Sequence, residues 1–418
     1  MRRFAALLAL ALLSVASPGC SRRERANPLD AANPSSGGAP EGFNAVADFI
    51  SVRLVWRART DLPIDGFQLF RLSPGDSLYR TVDGLFPPRS STFLDIGTQN
   101  GAEVRYRLHY VVHGVISSRF AEDAAVPGPV RAYVGDVAGG RLLRLSPDAR
   151  DIAATRSGLG EPFAVAATPD FGPVWVADQF AGKVFIIDPS TTTSITLQGL
   201  GAPFTMALDP FDGSAWISDL RGKVHHYQPS GAPAAGNPID LLQGPRGVAT
   251  DARDGALWVA ETQGSRVRRY NRDGTPLGAL TTPLPSRVAV DSLTGVAWVT
   301  SFDTDWIRRV SPSMTLLDSI ASNGPIGIAL DWRRRIAWVA EAPGGRVTAI
   351  DMDTRAVKFR ITGLAGPVDA AVDLDRGEAW IVAHDAGRVY RYSSTGALLG
   401  SVGGLGEPWE VRLDRGAR

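Results

Sequence analysis

The residues best placed to do chemistry are carboxylates that recur at one place in a repeated hairpin. An acidic side chain stands three positions after a recurring aromatic residue at Asp136, Asp178, Asp219, Glu261 and Glu341, whereas Ser301 and Ala383 take that place in two further repeats. A repeated carboxylate could bind a metal ion or transfer protons. A carboxylate beside a turn also accepts hydrogen bonds from loop N–H groups. We expect this structural role, with the basic residues that open the next strand as partners: Lys183, Lys223, Arg266, Arg346 and Arg388.

Histidine and thiol chemistry has few residues to draw on. The chain has five histidines and a single cysteine, which lies near the N-terminus. His225 and His226 are neighbours on a predicted strand, so they point to opposite faces and cannot both bind one ion. His384 stands alone, and His109 and His113 lie outside the repeat. The sequence therefore predicts no metal ion and no cofactor, and it carries no motif of a serine hydrolase, a zinc protease or a nucleotide-binding loop.

The hairpin repeats because the chain is built from one unit of about 40 residues. One marker is the aromatic residue of the second strand, which recurs every 40 to 42 residues at Tyr133, Trp175, Trp216, Trp258, Trp298, Trp338 and Trp380. A second marker is the proline that opens the preceding strand, with the same spacing at Pro162, Pro203, Pro245, Pro285, Pro325, Pro367 and Pro408. Four short strands fit in such a unit, which is the size of one β-propeller blade.

The two ends of the repeat region complement each other. Tyr133 has no proline-initiated strand before it, and the last such strand, "PWEVRLD" (408–414), has no aromatic hairpin after it. We expect the C-terminal strand to lie innermost in the first blade and to close the ring, which removes the exposed sheet edges of an open stack. Residues 128–418 are thus predicted to form a seven-bladed β-propeller.

The repeated unit resembles the NHL repeat family. Its pattern is P-x-x-V-A-V-D, then A-W-V-A-E, then R-V-x-R-Y and G, and "PRGVATDARDGALWVAETQGSRVRRYNRDG" (245–274) is the copy that matches it best. The resemblance implies a propeller. In such a fold the two residues after each inner-strand proline lie near one mouth of the central channel.

The mouth positions vary sharply in residue type, and they supply our candidate ligand- or partner-binding residues: Phe163, Phe204, Arg246, Arg287, Asp369, Trp409 and Glu410. Aromatic residues with a few arginines and carboxylates have the composition of a recognition surface. We expect a protein or carbohydrate of the cell envelope to bind there. The alternative is that the three aromatic residues plug the channel and the charges are solvated.

An enzymatic function is the alternative to a binding platform. Glu161 and Glu407, both in "GLGEP", are similar to the opening glutamate of the gluconolactonase family, but that family's later asparagine and aspartate have no counterparts. Amidating and streptogramin lyases share the fold and use histidines near the channel, and His384 alone could serve here. A metal-assisted hydrolase or lyase would need Glu161, Asp369, Glu407 and Glu410 to converge.

The charge balance gives no reason to expect nucleic acid as a partner. The formal net charge is +1, and nucleic-acid-binding domains are usually strongly basic. Three arginine runs, Arg268–Arg269, Arg308–Arg309 and residues 333–335, are expected to be solvated residues of the outer strands.

Residues 42–127 precede the repeats and contain short alternating strands with turn residues between them. Trp56, "GFQLFR" (66–71), "FLD" (93–95) and "VRYRLHYVVHGVISS" (104–118) follow the order of landmarks of a fibronectin type III domain, which they resemble. The resemblance implies an immunoglobulin-like sandwich, and we expect it to act as a spacer. The predicted fold class is therefore all-β: this sandwich followed by the propeller.

The first 20 residues have the anatomy of an export signal. Two arginines are followed by an apolar run and then by small residues that end at Cys20. This arrangement resembles the bacterial lipoprotein signal, which implies cleavage before Cys20 and lipid attachment to it. Ser21 follows the cysteine and favours the outer membrane by the same analogy. Residues 21–41 are expected to be a flexible tether, and the mature protein is expected to be a monomer.

Overall fold

The computed structural model describes residues 27–170, 172–191 and 193–415, so the predicted signal and Cys20 lie outside the described residues. Within these ranges the chain is almost entirely β-strand, and its only helical element is a single turn of 3-10 helix at Phe302–Thr304. No helix in this part of the chain is long and apolar enough to span a membrane. The chain divides into two compact units. Of the described residues, one unit comprises 27–44, 55–92 and 105–123, and the other comprises 45–54, 93–104 and those within 124–415.

Seven strands precede the repeat region: β1 (Asn44–Asp48), β2 (Ser51–Val55), β3 (Gly66–Leu72), β4 (Arg80–Thr81), β5 (Thr92–Ile96), β6 (Val104–Val112) and β7 (Val115–Ala125). They form a three-stranded sheet in the order β1-β2-β5 and a four-stranded sheet in the order β4-β3-β6-β7. In the first unit, the ring of Trp56 packs 5.8 Å from that of Phe67, which lies 5.7 Å from that of Tyr110. Residues 27–41 form successive turns, and Ser36 is buried with its hydroxyl donating to the Pro28 carbonyl.

The second unit contains seven further antiparallel sheets, which we number 1 to 7. Sheet 1 consists of β34 (Pro408–Arg415), β8 (Val130–Asp136), β9 (Arg141–Leu145) and β10 (Ile152–Ser157). Sheet 2 consists of β11 (Pro162–Ala167), β12 (Val174–Asp178), β13 (Lys183–Ile187) and β14 (Ser194–Gln198). Sheet 3 has three strands, β15 (Pro203–Leu208), β16 (Ala215–Asp219) and β17 (Lys223–Tyr227). Sheet 4 consists of β18 (Pro245–Thr250), β19 (Leu257–Glu261), β20 (Arg266–Tyr270) and β21 (Pro276–Thr281).

The remaining sheets keep the same order of strands. Sheet 5 consists of β22 (Arg287–Val290), β23 (Ala297–Ser301), β24 (Trp306–Val310) and β25 (Leu316–Ala321). Sheet 6 consists of β26 (Pro325–Asp331), β27 (Ile336–Glu341), β28 (Arg346–Asp351) and β29 (Val357–Thr362). Sheet 7 consists of β30 (Pro367–Asp373), β31 (Glu378–Ala383), β32 (Arg388–Tyr392) and β33 (Leu398–Val402). The sheets therefore follow the period read from the sequence.

Sheet 1 takes its first strand from the end of the chain. Strand β34 pairs antiparallel with β8, with Pro408 opposite Asp136 and Arg412 opposite Tyr133. The pairing expected between the C-terminal strand and the segment around Tyr133 is confirmed. The first strand of each sheet lies beside the first strand of the next sheet, and β34 lies between β30 and β11. The seven first strands thus surround a common centre, which we call the central channel.

The recurring aromatic residue connects each sheet to the next one. Trp175 of sheet 2 packs against Ala215 and Ile217 of sheet 3, and Trp380 of sheet 7 packs against Val134 of sheet 1. All six tryptophans at this position are buried. A tryptophan removes a large apolar area from water, so each anchor stabilises an interface between neighbouring sheets.

The expectation that the three arginine runs are solvated is wrong in part: Arg333 is exposed, but Arg269 is buried and other members of the runs form ion pairs. Arg269 is 9% exposed and donates to Asp254 at 2.5 Å and to the Pro312 carbonyl at 3.1 Å. Arg309 pairs with Asp318 at 2.9 Å, and Arg335 pairs with Asp291 of sheet 5 at 2.8 Å. These arginines form contacts between strands and between sheets. Such contacts cannot be predicted from the sequence of a single strand.

Candidate functional site

The channel mouth is the end of the central channel at which the first strands begin with their prolines. The first position after each proline holds Phe163, Phe204, Arg246, Ser286, Ile326, Val368 or Trp409. The second position holds Ala164, Thr205, Gly247, Arg287, Gly327, Asp369 or Glu410. The candidate residues therefore occupy two successive rings around one opening, four of them in the first ring and three in the second.

Three aromatic side chains of the first ring touch one another. The ring centroids of Phe204 and Phe163 lie 5.0 Å apart, and those of Phe163 and Trp409 lie 4.7 Å apart with planes tilted by 33°. His384 continues the row, since its ring meets that of Trp409 edge-on at 5.0 Å. We call Phe204, Phe163, Trp409 and His384 the aromatic strip. Phe204 is buried, whereas the other three are partly exposed.

Two arginines lie over the buried end of the strip. The guanidinium carbon of Arg246 is 4.9 Å from the ring centroid of Phe204, and that of Arg287 is 5.6 Å from it. These distances are those of cation–π contacts. Arg287 is neutralised by Glu410 at 2.8 Å. The guanidinium of Arg246 makes no hydrogen bond or ion pair with any described residue. Burial, and then the nearby charge of Arg287, lower the pKa of Arg246, while Asp303 acts in the opposite direction.

Beneath the strip, the charged residues of the second ring form a buried network. Glu410 receives Arg287 and also Arg412 at 2.5 Å, and Arg412 reaches Asp369 at 2.7 Å. Burial alone would lower the pKa of Arg412, but the charges of Glu410 and Asp369 outweigh it and raise that pKa. Two arginines face two carboxylates, so the network is balanced in charge, as buried ions require.

The same carboxylates also connect neighbouring sheets through the backbone. Glu410 accepts the N–H of Val165 at 2.7 Å, and Asp369 accepts the N–H of Val411 at 3.0 Å. Each acceptor thus binds the first strand of the next sheet. Where glycine stands in this ring the strands approach too closely for a side chain, since a Cβ at Gly247 would lie 2.5 Å from the Ser286 carbonyl oxygen. Asp369 and Glu410 therefore hold the ring together, and neither is a free acid at the mouth.

Arg287 crosses the channel to reach Glu410. Arg287 belongs to sheet 5 and Glu410 to sheet 1. Sheets 6 and 7 separate them on one side of the ring and sheets 2 to 4 on the other. The ion pair consequently spans the channel and places a charged floor under the mouth.

Arg412 belongs to this network, although it is not among the candidate residues predicted from the sequence. The fourth position after the proline is alanine in six of the seven first strands, and Arg412 breaks that run. An arginine that replaces a small residue in a packed ring requires a buried counter-ion. This break in the repeat is the signal that could have identified the network.

The recurring carboxylates have the structural role expected of them, although the partners differ in detail. Glu341 accepts the N–H of Asn323 and binds Arg346 at 2.6 Å. Burial opposes its ionisation, but Arg346, Ser322, Thr348 and the Asn323 N–H lower the pKa of Glu341 to about 2. Asp219 pairs with His225 at 3.1 Å, whereas its expected partner Lys223 pairs with the exposed Asp240.

The geometry that a metal-assisted enzyme would need is not formed. Among the described residues no group of three or more His, Cys, Asp or Glu side chains could hold a metal ion. Asp369 and Glu410 are occupied by arginines, while Glu161 and Glu407 line a separate surface cavity of about 430 Å³ beside Gly139. The four carboxylates therefore do not converge.

His384 is the histidine that the fold brings to the mouth. Its Nδ1 lies 3.1 Å from the carbonyl oxygen of Pro408. A carbonyl can only accept, so Nδ1 carries the proton and Nε2 of the neutral ring is an acceptor. His225 and His226 do point to opposite faces, toward Asp219 and Ser214 respectively.

Solved structures of similar fold are β-propeller-like. A functionally unknown protein from Desulfotomaculum acetoxidans matches with a TM-score of 0.59 and 16% identity over 69% of this chain and 99% of that chain. A 6-phosphogluconolactonase-like protein from Bacteroides uniformis matches with a TM-score of 0.57 and 12% identity, over 68% of this chain and 99% of that chain. A streptogramin B lyase matches with a TM-score of 0.50 and 19% identity, over 57% of this chain and 81% of that chain. At these identities the likeness shows the fold alone. No protein-family model matches the chain, and no curated protein matches it in sequence.

Proposed function

We propose that this chain is an exported lipoprotein of the cell envelope whose seven-bladed propeller binds a ligand at the channel mouth without converting it. The seven sheets of residues 130–415, the pairing of β34 with β8 and the anchor contact from Trp380 back to sheet 1 support the closed ring. The fold itself hosts unrelated functions, so the proposed function depends on the mouth.

The observation that best supports the binding role is the contact between the guanidinium of Arg246 and the aromatic strip. Its guanidinium is partly buried beside a second arginine and lacks a counter-ion among the described residues, while every other charge of the mouth network is paired. Removing a cation from water without a counter-ion opposes folding. The partly exposed side chains of the same strip, Phe163 and Trp409, belong to the aromatic residue types that often dominate binding interfaces.

Binding at the mouth is tested with two variants that each remove one aromatic side chain from the same end of the ring. The immobilised protein is incubated with an envelope extract, and the retained compounds are compared by mass spectrometry. Trp409→Ala should lose a compound that the unaltered protein retains. Phe180→Ala should keep it, because Phe180 is 74% exposed and lies outside the strip. Equal retention by both variants would reject the mouth as the binding site.

The lipid anchor rests on the sequence of residues 1–20, and the fibronectin type III-like segment at 42–127 is proposed as the spacer between membrane and propeller. Replacing Cys20 by Ala should abolish metabolic labelling with a fatty acid and shift the protein from the membrane to the soluble fraction. If the Cys20→Ala variant is still labelled with the fatty acid, Cys20 is not the site of lipid attachment.

A hydrolase or lyase remains the second candidate, and His384 is the observation that favours it. Its Nε2 is an acceptor beside Trp409, which is the arrangement a general base needs. Two solved structures of similar fold support the same hypothesis, since one is a streptogramin B lyase and the other is 6-phosphogluconolactonase-like. A screen of lactones and cyclic esters tests it: turnover lost in His384→Gln and kept in His113→Gln would establish the activity, whereas no turnover by the unaltered protein would favour binding alone.

A further inference from the structure

We propose that the ligand of the channel mouth is an aromatic compound that carries an oxyanion, a carboxylate or a phosphate. The oxyanion would lie on Arg246 and the ring on Phe163 and Trp409. This inference rests on the proposed function and adds the chemical class of the ligand.

The charge of the mouth calls for an anion. Arg287 and Arg412 are balanced by Glu410 and Asp369, so the cation left over is Arg246. Asp303 acts on Arg246 only through its charge and forms no ion pair with it. An oxyanion on the guanidinium would restore the balance and relieve the repulsion from Arg287.

The chemistry of Arg246 favours two coplanar oxygens. A guanidinium presents parallel N–H groups that match a carboxylate or phosphate bidentately, and such charge-assisted bonds are stronger than neutral ones. The contact with Phe204 at 4.9 Å fixes one side of the guanidinium against a buried ring. This contact restricts the orientation of the guanidinium before a ligand arrives, which limits the entropy lost on binding.

The strip favours a planar apolar group next to that oxyanion. Phe163 and Trp409 are partly exposed and lie 4.7 Å apart with a tilt of 33°. Aromatic rings pack on such tilted pairs in offset or edge-to-face arrangements. Since Phe163 also touches Phe204 at 5.0 Å, the ring of Phe204 connects the guanidinium to the exposed rings.

The experiment is calorimetric titration of the full chain with benzyl phosphate and benzoate. Methyl phosphate, which lacks the ring, and benzyl alcohol, which lacks the charge, are the comparison probes. Both aromatic anions should bind at least 10-fold more tightly than either comparison probe. Arg246→Gln should weaken the aromatic anions by about 10- to 100-fold, the range for one charged hydrogen-bonding partner, and should leave benzyl alcohol unchanged.

Arg221→Gln is the matched control, since Arg221 is an exposed arginine in the turn between β16 and β17, outside the strip, and it should bind like the unaltered protein. Trp409→Phe should retain binding and Trp409→Ala should lose it. Aromatic anions that bind no better than benzyl alcohol, or equally well to Arg246→Gln, would overturn the ligand class. If an envelope compound is still lost on Trp409→Ala in that case, the proposed binding function stands and only its chemistry is wrong.

Discussion

Buried carboxylates in this protein differ in which groups would lose a partner if the carboxylate were removed. Glu410 lies in a network with two arginines and a backbone N–H, so several groups would lose a partner with it. Glu341 serves one sheet and one loop, with Arg346, Ser322, Thr348 and Asn323 around it. Glu341 is therefore the clearer residue on which to test the structural role of the recurring carboxylate.

We expect Glu341→Gln to lower the free energy of unfolding by about 3 kcal/mol at pH 7, because a buried carboxylate that binds the partly exposed Arg346, two hydroxyl groups and a backbone N–H is replaced by a neutral amide. In the unaltered protein Glu341 titrates near 4.5 when unfolded and at about 2 when folded. Its contribution is thus present above pH 4.5 and is lost as the pH falls toward 2. Urea unfolding at pH 7, 4.5 and 3 should show the difference between the two proteins shrinking.

Asp240→Asn provides the control for this measurement. Asp240 pairs with Lys223 at 3.2 Å, but about half of each side chain is exposed. Exposed pairs contribute little, so the change should stay within about 0.5 kcal/mol. A loss of equal size in both variants would mean that burial is not what makes Glu341 important.

The sequence predicted residue types at the mouth better than it predicted their contacts. The variable positions after each proline identified Arg246, Phe163 and Trp409, because a repeat makes irregular positions visible. The pairing of Arg287 with Glu410 could not be predicted from the sequence, because 123 residues separate them and only the closed ring brings them together. The paired arginines of the three runs were not predicted for the same reason, since a partner such as Asp291 for Arg335 comes from another sheet.

At the level of whole elements, the interfaces between sheets are alike except for one. Six are anchored by tryptophan, and the interface between sheets 1 and 2 has Tyr133 instead. A cavity of about 110 Å³ lies at this interface, bordered by Tyr133, Leu142, Val174 and Ile187. The smaller anchor and the open space occur together, so this interface has room for a larger anchor side chain.

We expect Tyr133→Trp to raise the free energy of unfolding by up to about 1 kcal/mol by filling that space. The reverse change at the next interface, Trp175→Tyr, should cost about 1 to 3 kcal/mol, since it opens a cavity in a packed site. Both are measured by urea unfolding at one pH. A loss of stability in Tyr133→Trp together with an unchanged Trp175→Tyr would contradict the role of the anchors.

The repeat region as a whole depends on one pairing between distant parts of the chain. Strand β34 supplies the backbone partner of β8, the acceptor Glu410 for Val165, and the Arg412 that neutralises Asp369. The repeat period allowed this closure to be predicted because the two incomplete units complemented each other. The buried charges that accompany the closure were not predicted. A repeat period shows only what the units have in common, and these charged residues differ from the other units.

A chain that ends at Gly406 should lose cooperative unfolding and bind a hydrophobic dye, because β8 becomes an open sheet edge and the channel network loses two members. Thermal unfolding followed by near-ultraviolet circular dichroism measures this. Since Arg415 pairs with Val130, a copy of residues 407–415 can be placed before Val130 with flexible linkers. That rearranged chain should recover cooperative unfolding, and a truncated chain that melts as sharply as the intact one would disprove the dependence.

The position of β34 also sets the order of events when the protein is made. Domains commonly fold as they emerge from the ribosome, N-terminal part first, but sheet 1 is complete only after β34 has been translated, long after β8. Until then β8 has an unpaired edge, and the nascent chain stays open. If the chain is exported through a membrane pore as we propose, such a late closing step would keep the precursor in the unfolded state that the pore requires.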